Sequence, residues 1–181
     1  MWIFPEKRLC FLANPKTASL ATAFTLETLG FKTCGGQHCT PDQAGWGQID
    51  NTWTVFCTVR NHFDVMVSWY FHNIRTPVSE CFGLSFEQFL YMWTTNSEWF
   101  RNNQMYWERN PWCNRILRYE MLQSDFNELL VSCKLPLIQL QRHNVSKNRK
   151  GRDFHGFYTE KSIKFMEDKF GAEMESLNYG Y

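Results

Sequence analysis

Arg8-Leu9-Cys10-Phe11-Leu12-Ala13-Asn14-Pro15-Lys16-Thr17-Ala18-Ser19 is the stretch on which the fold turns. Its first six residues form a short apolar run closed by Asn-Pro, the pattern of a buried strand. Beyond the loop, Leu20, Phe24, Leu26, Leu29 and Phe31 recur broadly at helical spacing, with Gly30 as a stop signal. A strand that turns tightly into a helix aims backbone N–H groups and the positive helix end at one point, and such a point binds phosphate or sulfate. Thr17 and Ser19 add hydroxyl donors there, and Lys16 adds a mobile point charge. The loop is not G-x-x-x-x-G-K-[ST], because it has no glycine and its lysine precedes the turn. Taken alone, Pro-Lys-Thr ahead of a helix reads first as a solvated turn with an N-cap.

The second element changes the balance. Trp53-Thr54-Val55-Phe56-Cys57-Thr58-Val59 is rich in β-branched and aromatic residues and reads as another buried strand. Arg60 follows it directly, and Val65, Met66, Trp69, Tyr70 and Ile74 then give a helix-like stripe. An arginine at a strand end and Ser68 two turns into the next helix suit the gripping of a further phosphate. Asn114 through Tyr119 predicts a third strand, followed by a helix carrying Leu122, Phe126, Leu129 and Leu130. Ser85-Phe86-Glu87-Gln88 has the form of a capping box, and Thr159 caps a last helix with Ile163, Phe165, Met166 and Phe170. Strands alternating with helices predict an α/β domain with a mainly parallel sheet. In such sheets ligands bind outside the carboxyl ends of the strands, where Lys16 and Arg60 both fall. With no internal repeat or linker, residues 1–181 read as a single domain.

The totals narrow the function. A net charge of +1 gives no global basic field for nonspecific nucleic-acid binding, so an anionic ligand must be held by local groups. No run approaches the roughly 18 apolar residues that span a bilayer, and Met1 to Arg8 do not form a signal peptide; the expectation is a cytoplasmic protein without a membrane partner. Seven cysteines in no regular spacing leave Cys10 and Cys57 as reduced core thiols. Cys34, His38 and Cys39 are one ligand short of a zinc set, so no metal is expected. Aromatics reach 17%. Tyr91, Trp93, Trp99, Phe100, Tyr106, Trp107 and Trp112 are interleaved with Asn96, Arg101, Asn102, Asn103, Gln104 and Arg109, a composition that suits either a sugar-binding cleft or a packed core.

Pro15 to Ser19 resembles the 5′-phosphosulfate-binding loop of sulfotransferases, and Arg60 through Ser68 with Trp69-Tyr70 resembles their 3′-phosphate-binding segment. Ile116-Leu117-Arg118-Tyr119-Glu120-Met121-Leu122 is similar to the strand-then-Glu-x-Leu element of the carbohydrate branch, and Phe157 to Tyr181 is similar to its closing helices. The four matches fall in order over most of the chain. The resemblance implies a P-loop-like three-layer domain, its small sheet flanked by helices. It also implies a donor, 3′-phosphoadenosine 5′-phosphosulfate (PAPS), released as adenosine 3′,5′-bisphosphate (PAP), and an acceptor hydroxyl on a glycan.

By the same resemblance Lys16 meets the bridging oxygen and the transferring sulfuryl group, Thr17, Ala18 and Ser19 cradle the 5′-phosphate, and Arg60 and Ser68 hold the 3′-phosphate. Arg149-Lys150-Gly151 resembles a basic loop over that 3′-phosphate. A histidine between the first helix and the second strand is the family's base. That selects His38 in a glycine-rich setting, with His62 beside Arg60 as the alternative; Glu120 is read as a partner for Lys16 or a neighbouring arginine. The chain departs from the pattern at Leu20 and Ala21, which stand where relatives carry hydroxyls and leave Thr22 as a substitute. Asn61-His62 replaces a frequent Asp-Pro or Asn-Pro. Two other functions remain open on residues alone: a nucleotide kinase or NTPase with a degenerate phosphate loop, and a non-catalytic glycan-binding module.

Overall fold

Leu9-Cys10-Phe11-Leu12 has no polar side chain on either face, so it forms a strand only where both faces are covered. In the computed structural model, which describes residues 1–47, 49–74, 79–96, 113–141, 149 and 153–181, all four of these residues are buried. The described strands are β1 (Trp2–Phe4), β2 (Leu9–Leu12), β3 (Lys32–Thr33), β4 (Thr54–Val59) and β5 (Arg115–Arg118). The described helices are α1 (Ser19–Thr28), α2 (His62–Asn73), α3 (Phe86–Asn96), α4 (Leu122–Ser132) and α5 (Glu160–Ser176). The protein is an α/β fold whose sheet runs β3-β1-β2-β4-β5.

The sheet is mixed. β2, β4 and β5 run parallel, with Leu9 opposite Thr54 and Phe56 opposite Arg115, whereas β1 is antiparallel to both β2 and β3. The three parallel strands are the three that hydrophobic runs predict. β1 and β3 were not foreseen: one is three residues closed by Pro5, the other two exposed residues, and neither is long enough to show a periodicity.

The chain divides into two compact units, Met1–Arg60 with Tyr106–Val145 and Asn61–Met105 with Ser146–Tyr181. In the first, Leu9, Phe11, Ala13, Phe56 and Leu117 from one face of the sheet pack with Ala23 and Leu26 of α1 and Phe126, Leu129 and Leu130 of α4. Phe56 lies at the centre, its ring 5.2 Å from Phe11 and 6.3 Å from Phe31. Gly30, at φ 102°, turns the chain after α1 and returns Phe31 to this core rather than extending the helix. Burial in the strand pushes the Cys10 thiol up to about 12, which makes it inert at neutral pH.

The second unit is helical and aromatic. Ser85 and Gln88 form the reciprocal capping box of α3, with Ser85 N–H donating to Gln88 Oε1 at 2.9 Å and Gln88 N–H to Ser85 Oγ at 3.3 Å. Thr159 caps α5 by the same device, with Ser162 as its partner. Phe63 packs edge-on to Tyr158 and Tyr181, and Phe86 to Phe157 and Tyr158. No described helix is long and apolar enough to cross a membrane.

Because Phe56 is fully buried among rings, Phe56→Ala should lower stability by about 3–5 kcal/mol. Urea unfolding followed by tryptophan fluorescence reads this as a fall in the midpoint with little change in slope.

Candidate active site

Parallel β2, β4 and β5 deliver three segments to one edge of the sheet: the Asn14–Ser19 loop, Arg60, and the turn that begins at Tyr119. This is the carboxyl-end position that the sequence pattern predicts for an anion site.

The loop owes its shape to two residues in the left-handed region, Lys16 at φ 64° and Ala18 at φ 62°. Neither is glycine, so each carries a penalty of about 1–2 kcal/mol that the surroundings must offset. The offset comes from β4. Asn14 Nδ2 donates to the Thr58 carbonyl at 2.8 Å, and Arg60 Nη1 donates to the Lys16 carbonyl at 3.1 Å. Thr17 Oγ1 donates to the Asn14 carbonyl at 2.8 Å and lies 2.6 Å from Thr58 Oγ1. A hydroxyl has one proton, so with Thr17 committed to Asn14 it is Thr58 that donates to Thr17. Asn14, Thr17 and Thr58 are all fully buried. α1 starts at Ser19, with Thr22 N–H closing onto the Ala18 carbonyl at 3.1 Å. The arrangement places the positive end of a ten-residue helix behind a loop held in one conformation.

Arg60 is 8% exposed, and its guanidinium carbon sits 3.9 Å from the centre of the Tyr119 ring. Stacking and the bond to Lys16 fix the plane of the fork, which prepares it for bidentate recognition of an oxyanion.

His38 reaches the same strand end from the loop after β3. Its Nδ1 lies 2.6 Å from the Ala13 carbonyl, and a carbonyl only accepts, so Nδ1 carries the proton. In the neutral ring the lone pair is then on Nε2, as proton abstraction requires. Gly35, at φ 66°, shapes this loop, because a Cβ there would come within 2.8 Å of Cys39 Sγ and 3.0 Å of Ala44 Cβ. Cys39 Sγ donates to the Gly36 carbonyl at 2.9 Å. No cluster of three or more His, Cys, Asp or Glu side chains among the described residues is placed to hold a metal.

In the first unit the structure therefore brings Lys16, Thr17, Ala18, Ser19, Arg60 and His38 to the ends of β2 and β4. Ser68 lies half-buried in α2 and Arg149 in the same helical unit, its guanidinium 2.5 Å from Asp64 Oδ1. Lys150 and Gly151 lie outside the described residues. His62 is fully buried, with Nε2 3.4 Å from Glu173 Oε2, the setting of a core histidine. Asn61 caps α2, its Oδ1 accepting from Phe63 N–H at 3.0 Å. Thr22 does not replace the missing hydroxyls, since it is fully buried and turns back onto the Ala18 carbonyl at 3.3 Å. Glu120 stands exposed in the 3₁₀ turn after β5.

Of the candidate sugar platform, Tyr91 packs on Phe165 at 4.6 Å and Trp93 stacks on Phe89 at 5.6 Å. Trp99, Phe100, Arg101, Asn102, Asn103, Gln104, Tyr106, Trp107, Arg109 and Trp112 lie outside the described residues. Thr58 and the stacking of Tyr119 on Arg60 were not foreseen from the sequence. The available signal was a hydroxyl inside an apolar strand, two residues before its terminal arginine.

Residues 38–133, just over half of the chain, match the model of the sulfotransferase domain family. The match contains His38, Arg60, Ser68 and Tyr119 and leaves out the Asn14–Ser19 loop. No curated protein matches the chain. Among solved structures it is similar to the crystal structure of mouse sulfotransferase SULT7A1 complexed with PAP, with a TM-score of 0.62 and 12% identity. That likeness covers 92% of this chain and 84% of the mouse one. At this identity it carries the fold alone.

Asn14→Ala would strip the buried Thr58 carbonyl of this donor, at a cost of roughly 1–3 kcal/mol. Thermal unfolding should show the loss as a lower Tm, with far-UV circular dichroism of the folded state unchanged.

Proposed function

The chain belongs to the sulfotransferase domain family, and from that premise we propose that it moves the sulfuryl group of PAPS to an acceptor hydroxyl. The observation that carries the reading is the convergence at one strand edge of an oriented N–H loop bearing Lys16, a fixed guanidinium at Arg60, and an imidazole whose Nδ1 is tied to Ala13.

Sulfuryl transfer resembles phosphoryl transfer in its demands: in-line placement, positive charge on the leaving oxygen, and an acceptor for the hydroxyl proton. In this reading the backbone N–H groups of Thr17, Ala18 and Ser19 receive the 5′-phosphate, because the Thr17 hydroxyl is already engaged inside the protein. Lys16 neutralises charge that builds on the bridging oxygen. His38 takes the acceptor proton at Nε2 while the Ala13 carbonyl holds the ring. Arg60 takes the 3′-phosphate, the group that separates this donor from ATP. Ser68 and Arg149 keep the part that the family resemblance gives them, as do Lys150 and Gly151.

The acceptor is read as a carbohydrate on the resemblance of Ile116–Leu122 and of the closing helices. The packed rings of Tyr91 and Trp93 add nothing to that choice. Residues 1–181 are assigned to one sulfotransferase domain, with the two compact units as its parts.

PAP should raise the Tm and ATP should not, because a ligand that binds only the folded protein stabilises it by about 2.7 kcal/mol at a hundredfold excess over Kd. Equal or greater stabilisation by ATP with Mg²⁺ would point to a kinase or NTPase instead. Lys16→Ala should lower transfer of labelled sulfate by roughly 10²–10³-fold. His38→Ala should lower it by roughly 10²–10⁴-fold while PAP still binds. Full transfer by both variants would remove the mechanism.

A further inference from the structure

Thr58 is a buried hydroxyl in a strand where a buried hydroxyl has no packing purpose. Its neighbours Val55, Phe56, Cys57 and Val59 are apolar and buried, and valine would fill the same volume with higher strand preference. Burying a hydroxyl costs free energy unless it finds a partner. The partner is Thr17, at 2.6 Å, whose own proton goes to the Asn14 carbonyl. The Thr58 carbonyl in turn accepts from Asn14 Nδ2, so one strand residue holds both ends of the segment that contains Lys16.

We propose that Thr58 is a positioning residue for donor binding: its hydroxyl, donated to Thr17, locks the Asn14–Ser19 loop in the left-handed form that directs its N–H groups outward. The inference rests on the reading of this loop as the 5′-phosphosulfate site. The reason is conformational. Lys16 and Ala18 sit at φ 64° and 62°, which L-residues adopt reluctantly, so a loop released from Thr58 shifts toward conformers with negative φ. A ligand that needs the locked form then binds with an affinity reduced by the fraction still locked. Thr58 touches neither donor nor acceptor in this scheme; it acts through Thr17.

The test is isothermal calorimetry of PAP with the wild type, Thr58→Val and Thr58→Ser, at a temperature well below each Tm. Thr58→Val should bind PAP about 3–10-fold more weakly. Thr58→Ser, which keeps the hydroxyl, should bind as the wild type does, and this rescue separates positioning from simple packing. Wild-type affinity in Thr58→Val, or an equal loss in Thr58→Ser, overturns the proposal while leaving the donor site intact. If Thr58→Val does not fold, Thr58→Ala removes the same hydroxyl without the second branch at Cβ and is read by the same criterion. Absence of PAP binding to the wild type is a different result: it overturns the donor reading, and the role of Thr58 falls with it.

Discussion

The hydrogen bonds from the end of β4 to the loop after β2 are the constraint on which the candidate site depends. A loop with two left-handed residues and no glycine does not hold itself; each such residue is worth about 1–2 kcal/mol against the conformation. Three bonds from Thr58 and Arg60 oppose that tendency, and two of them lie in a fully buried setting where a lost partner costs most. Parallel pairing of β2 and β4 makes these bonds possible, because it places both carboxyl ends side by side: with Leu12 opposite Cys57, Ala13 and Asn14 leave β2 beside Thr58.

The same pairing divides labour along each strand. Phe11 and Phe56 supply apolar surface to the core with α1 and α4, and two residues later Ala13 and Thr58 already serve the loop. The Ala13 carbonyl, one step beyond the strand, fixes the ring of His38. A chain with net charge +1 has no general field with which to collect an anion. In the proposed site, oriented amides, one helix end and one stacked guanidinium would provide the field locally.

The parts of this arrangement that could be read in the sequence are those that leave a pattern. Apolar runs announced β2 and β4, the Ile116-Leu117 pair within Asn114–Tyr119 announced β5, and reciprocal Ser–Gln chemistry announced the start of α3. β1 and β3 left none, because strands of three and two residues have no period, and they add two antiparallel strands beside the parallel core of β2, β4 and β5. Within the site, Arg60 was legible because it follows β4 directly, and Lys16 because it sits in the short loop between β2 and α1. The Thr58–Thr17 bond was not legible, since its partners are 41 residues apart and a hydroxyl in an apolar strand does not name its partner. The aromatic count left two readings open: Tyr91 and Trp93 are rings with polar tips, equally at home in a cleft and a core, and both pack on neighbouring rings.

Why the loop keeps non-glycine residues at its two left-handed positions follows from what position 16 must carry. Glycine would remove the strain, but it would also remove the ammonium that the proposed chemistry needs and widen the range of conformers that binding has to freeze out. A lysine in the left-handed turn keeps the charge at the cost of a conformational penalty, and that penalty shifts the demand for rigidity onto neighbouring groups. Arg60 answers it at the Lys16 carbonyl itself, so the guanidinium proposed for one phosphate also steadies the residue proposed to serve the other end of the donor. In the proposed scheme the two ends of the donor would thereby be coupled through a single backbone oxygen: an Arg60 drawn out of place would release Lys16, and a relaxed loop would deprive Arg60 of one of the contacts that hold its plane.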